Sequence, residues 1–139
     1  MKLFGTVAVA LAALVLAGSA AAKDASGGEK VSQVFLEKIP NIPGKSVRAF
    51  VVDYAPGGAS PSHRHDKSAF IFAYVLEGEI RSKVDDGQET VYKAGEHWSE
   101  VPGAHHLVSR NASKTKPAKL LAVFVLDSDA TQPTTPDSH

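Results

Sequence analysis

The chain has 139 residues, with 15 basic and 15 acidic side chains, six histidines and no cysteine. So even a charge balance offers no basic patch for nucleic acid. The lack of cysteine removes any disulfide framework, thiolate ligand or cysteine nucleophile, so a small exported domain must rest on its core, on a metal or on a partner subunit.

Residues 1–22 read as a secretory signal peptide. Met1-Lys2 gives a positive start, Leu3 to Ala17 is almost wholly apolar, and Gly18-Ser19-Ala20-Ala21-Ala22 is small throughout. The apolar run is short for a bilayer core, which needs roughly 20 residues. Ala20 and Ala22 suit cleavage before Lys23, and Ser19 stands where a lipid anchor would need cysteine. The expected product is periplasmic or secreted, with no membrane attachment after cleavage. It has about 117 residues, enough for one domain.

Residues 23–30 are polar and glycine-rich and read as a flexible leader. Residues 31–127 carry a β pattern. Strands are expected over 31–39, 46–54, 69–76 and 80–84. Asp85-Asp86-Gly87 is a hairpin signal, with a return strand over 89–92. Short strands follow at 97–101 and 105–109, then a long apolar strand at 118–126. Many short strands punctuated by Gly and Pro imply an all-β sandwich or barrel. Residues 128–139 have Pro, Thr, Asp and Ser without apolar anchors and read as a disordered tail.

His63 and His65 sit two apart on an expected strand. Alternation puts both imidazoles on one face, where they can reach one ion. His105-His106 follows Pro102-Gly103, a turn that can aim a further imidazole at the first pair. Imidazole nitrogen suits zinc, copper, iron and nickel.

Pro56-Gly57, His63-x-His65 and Tyr74 to Glu79 resemble the first cupin motif. Gly95-Glu96, Pro102 to His106 and Asn111 resemble the second. The resemblance covers residues 45–126. It implies a cupin-type antiparallel β-barrel, the double-stranded β-helix or jelly roll, with a metal held inside by residues of both motifs. The implied ligands are His63, His65 and His106, with His105 as the alternative, since neighbours on a strand face opposite ways. The family's glutamate has no counterpart here. Its position falls on Ala69, Phe70 or Ile71, all apolar. Glu100 is the substitute, as ligand, base or supporting partner, unless it is an exposed strand-end carboxylate. Asp66 should face away, and His97 is left open.

The resemblance implies a divalent transition metal, with Fe(II), Zn, Mn, Cu and Ni all open. It points to a small-molecule substrate, anionic or aromatic, and to an oxygenase. A non-catalytic metal- or ligand-binding cupin and an empty structural one are the other readings. Three neutral imidazoles would leave the ion its full charge and favour an anion. Phe70, Phe72, Tyr74, Trp98 and Phe124 would wall the site. Cupins commonly pair, so a homodimer is expected, with residues 31–39 as the contributed strand.

Overall fold

The structure, a computed structural model, describes residues 23–25 and 27–138; the expected signal peptide lies outside the described residues. Among the described residues eleven strands follow in chain order: β1 (Lys23–Ala25), β2 (Glu29–Lys38), β3 (Lys45–Tyr54), β4 (His63–His65), β5 (Phe70–Glu77), β6 (Glu79–Val84), β7 (Thr90–Lys93), β8 (His97–Glu100), β9 (His105–Asn111), β10 (Ala118–Asp127) and β11 (Thr134–Pro136). They form two antiparallel sheets, ordered β1-β2-β3-β10-β5-β8 and β11-β4-β9-β6-β7. This is the all-β double-stranded β-helix.

The period of two decides which side chains face inward. In β10, Ala118, Leu120, Ala122, Phe124 and Leu126 are buried, while the residues between them are half-buried. In β5, Ile71, Ala73 and Val75 are buried. One core cluster joins Val52, Tyr54, Val75, Ile80, Trp98 and Leu120; a second joins Ala69, Ile71, Phe124 and Leu126. Each large aliphatic or aromatic residue so buried contributes about 1.5–3 kcal/mol.

Turn chemistry fixes the strand order. Asp85 adopts a φ of 47° between β6 and β7, a left-handed conformation that aspartate tolerates. Gly78 has a φ of 71°, and a Cβ there would meet the Pro117 carbonyl oxygen at 2.6 Å. Only glycine lets β5 turn into β6 against that backbone.

The leader and the tail carry strands in this structure. β1 pairs with the start of β2, Lys23 opposite Val31. β11 pairs with β4, Thr134 opposite His65 and Pro136 opposite His63. The amides of Asp66 and Asp137 donate to the carbonyls of Pro133 and Ser62, each at 3.0 Å. Backbone ladders hold both segments, and a ladder needs no apolar side chain.

Candidate metal centre

β4 lies between β9 and β11. His63 is directly opposite His106, and Arg64 opposite His105. His63 and His65 therefore share the inner face with His106. The ring centroids of His63 lie 4.9 Å from those of His65 and 5.2 Å from those of His106. One nitrogen of each ring lies within 4.8 Å of the others. His65 and His106 are buried and His63 half-buried.

A β-bulge separates the two candidates of the second motif. Val84 pairs with His106 and Lys83 with Val108, so Leu107 is an extra residue on β9. A bulge re-aims side chains, and here His106 and Ser109 both turn inward although they are three apart. His105 turns away. Its Nε2 lies 3.1 Å from the Ser62 hydroxyl and 2.8 Å from an Asp137 carboxylate oxygen.

A carboxylate stands beside the cluster on β8, the strand next to β5. Glu100 on β8 pairs with Ile71 on β5, and its side chain is buried. One oxygen accepts from the Trp98 indole N–H at 3.0 Å and lies 3.4 Å from Nδ1 of His106. The other lies 2.8 Å from Nε2 of His65. Neither of those last two atoms has a hydrogen-bond partner, although both are buried. The two atoms form a buried close contact beside two further imidazoles, an arrangement that fits a shared cation.

Burial pushes His63 and His106 below the ordinary imidazole range, His106 to about 4. Burial pushes the Glu100 carboxyl up, but His65 beside it, the field of His106 and the Trp98 indole outweigh that and hold it below its usual value. Near neutral pH, His63 and His106 present neutral imidazoles and Glu100 a carboxylate, the protonation states that ligands require. The Pro61 carbonyl, 2.7 Å from His63 Nδ1, accepts that ring's proton and leaves its Nε2 lone pair free. Ser82 Oγ lies 2.9 Å from His106 Nε2 and orients the second ring.

Other expectations fall elsewhere. His97 is exposed, its ring 5.5 Å from that of Phe72 on the outer face. Asp66 accepts from the amide and hydroxyl of Ser68. Trp98 and Phe124 stand inside, with Phe124 5.4 Å from His65. Phe70, Phe72 and Tyr74 do not wall the site. They are the outward residues of β5, whose inward places are taken by Ile71, Ala73 and Val75.

The histidines open into a cavity of about 680 Å³. Its lining also holds a polar row that no motif marked: Glu29, Ser60, Tyr54 and Ser109. The available signal was polar residues at inward positions of otherwise apolar strands. Burial, only partly offset by the Ser109 and Ser60 hydroxyls, pushes the Tyr54 phenol up to about 12. An unfolded tyrosine titrates near 10, so this contribution is complete below about pH 10 and is lost as pH rises toward 12. It is on the order of 2–3 kcal/mol. Melting temperature should fall over that window in the wild type and less steeply in Tyr54→Phe; parallel profiles would show that Tyr54 contributes nothing to the fall.

Comparison with known proteins places this geometry. The Cupin domain family matches residues 50–124. Germin-like protein subfamily 2 member 2 of Arabidopsis thaliana is 33% identical over 101 residues, covering 70% of this chain and 45% of the relative. The chain spans less than half the length of the germin-like relatives it matches. A solved recombinant oxalate oxidase in complex with glycolate is 27% identical, with a TM-score of 0.56 over 72% of this chain and 52% of that one. A Klebsiella pneumoniae protein with a double-stranded β-helix domain has a TM-score of 0.61 at 22% identity, over 84% and 90% of the two chains; that likeness concerns the fold.

Proposed function

The chain belongs to the cupin family, and from that premise we propose that it acts on a small anionic molecule at a divalent transition-metal ion held by His63, His65 and His106 with Glu100. The observation that carries this is the convergence of His63, His65 and His106, one nitrogen of each within 4.8 Å of the others, with the buried Glu100 carboxylate 2.8 Å from His65 Nε2. A bound ion would polarise an oxygen of the substrate or of water. Neutral imidazoles with one carboxylate leave a net positive charge there, which favours an anion. Trp98, Phe124 and Ile71 keep water from the inner wall, and the Pro61 carbonyl and Ser82 keep two rings aimed.

Likeness to an oxalate oxidase solved with glycolate supports small carboxylates as substrates and oxygen as co-substrate. The signal-like residues 1–22 support action outside the cytoplasm. The test is elemental analysis of protein purified from its own compartment, followed by oxygen uptake with small carboxylates. One transition-metal ion per chain and substrate-dependent uptake are expected. Absence of metal would refute the reading, and metal without turnover would leave a binding cupin.

We also propose that two copies pair through the outer face of the larger sheet. Outer faces of antiparallel sheets are ordinarily polar. Here the cross-strand register aligns Phe35, Ala49, Val123 and Phe72 in one row, with Val51, Leu121 and Tyr74 beside it and Val47, Val125 and Phe70 on the other side. Phe35, Phe70 and Phe72 are 48%, 46% and 39% exposed. Neutral ion pairs bound this face at both ends, Lys45–Asp127 and Lys119–Asp53, so it does not repel its own copy. Four strands, β2, β3, β10 and β5, about 4.8 Å apart supply the apolar centre that a standard interface, roughly 800 Å² per partner, requires. The row ends at β2, whose residues beyond Val31 have no strand on their outer side among the described residues. Light scattering should give twice the chain mass in the wild type and the single mass in Phe72→Lys. A wild-type monomer at high concentration would rule this pairing out.

A further inference from the structure

The cavity holds more polar structure than the histidine cluster uses. Glu29 opens β2, Tyr54 closes β3, Ser60 lies in the loop after it and Ser109 is on β9. Tyr54 Oη lies 2.7 Å from Ser60 Oγ and 2.8 Å from Ser109 Oγ, and Ser60 donates to Glu29. Tyr54 and Ser109 are only 2% and 4% exposed. Val52, Leu120, Ala122 and Phe124 form an apolar stretch of the wall, and Gln33 and Thr134 add polar side chains to it.

Counting protons shows what this row can receive. Ser60 gives its proton to Glu29, so Tyr54 must give its own to Ser60, and Ser109 gives its own to Tyr54. Every hydroxyl proton then runs toward the carboxylate. What remains for the cavity is acceptors: the second oxygen of Glu29 and the lone pairs of Ser109. Burial raises the Glu29 carboxyl, and Glu29 forms no ion pair among the described residues. A carboxylate in that position gains from a donor.

We propose that Glu29, Ser60, Tyr54 and Ser109 form a ligand subsite for the hydroxyl or amino group of a small carboxylic acid whose carboxylate end lies at the histidine cluster, with a short apolar segment between the two ends. The inference rests on the metal reading above.

Calorimetric titration of the zinc-loaded protein tests it, using straight-chain carboxylates of increasing length and their ω-hydroxy counterparts. At one matching length the hydroxyl should tighten binding about tenfold, as expected for a hydrogen bond to a charged group. In Glu29→Ala the gain should vanish while the plain carboxylates bind as before. Ser60→Ala, which keeps the β2 residue, should lose it too. A hydroxyl that adds nothing at any length overturns the subsite and leaves the metal reading standing, as does a gain that survives both substitutions. If no carboxylate binds the fully metal-loaded protein, the anionic-substrate reading falls and the subsite falls with it.

Discussion

His106→Ala should abolish stoichiometric metal, whereas His105→Ala should retain it. His106 lies in the cluster, opposite His63, while His105 is bound to Ser62 and Asp137 on the far side of the strand. Removing a ligand costs most of the affinity, whereas altering a residue behind a ligand typically costs 10–100-fold. A ligand present at a thousand times its dissociation constant stabilises the fold by about 4 kcal/mol. At several degrees per kcal/mol for a domain of this size, chelation should lower the wild-type melting temperature on the order of 15 °C. The His106→Ala variant should melt at the same temperature with and without chelator. The reverse pattern, metal lost from His105→Ala and kept by His106→Ala, would show that the bulge at Leu107 has been placed wrongly.

Glu100→Gln should weaken metal binding by at least 10–100-fold without unfolding the barrel. The substitution keeps volume and an oxygen for the Trp98 indole, but removes the charge beside His65 and His106. An ion that met a carboxylate there would meet a neutral amide that donates as well as accepts. Competition with a metal-chelating dye reads the change, and circular dichroism confirms the fold. An affinity equal to wild type would mean that Glu100 only anchors Trp98.

How much of this could be read beforehand differs between fold and site. The barrel was legible because its strands alternate, as Ala118 to Leu126 shows. The pair His63 and His65 was legible for the same reason, since parity within one strand is local. Which of His105 and His106 faces that pair was not, because the bulge that turns His106 toward it depends on pairing with β6. Glu100 could be named as a candidate but not placed. What brings it to the cluster is its register opposite Ile71, a property of two strands rather than one. The outward aromatics of β5 were misassigned because apolar character was read as burial, whereas Phe70 and Phe72 sit at the positions whose parity points out. Residues 23–30 and 128–139 looked unstructured because composition reports side chains, and residues 23–25 and 134–136 within them are held by their backbones.

The pairing of β11 with β4 has a practical consequence for anyone handling the protein. The strand that carries His63 and His65 is stitched on one side to residues 134–136. A polyhistidine tag fused directly after residue 139 would begin a few residues from that ladder, with imidazoles of its own to offer the ion. Metal stoichiometry measured on such a preparation would count the tag together with the site. The same fusion would load the seam that keeps β4 in register, so an untagged or cleaved chain is the form on which ion content, melting and ligand titrations should be compared.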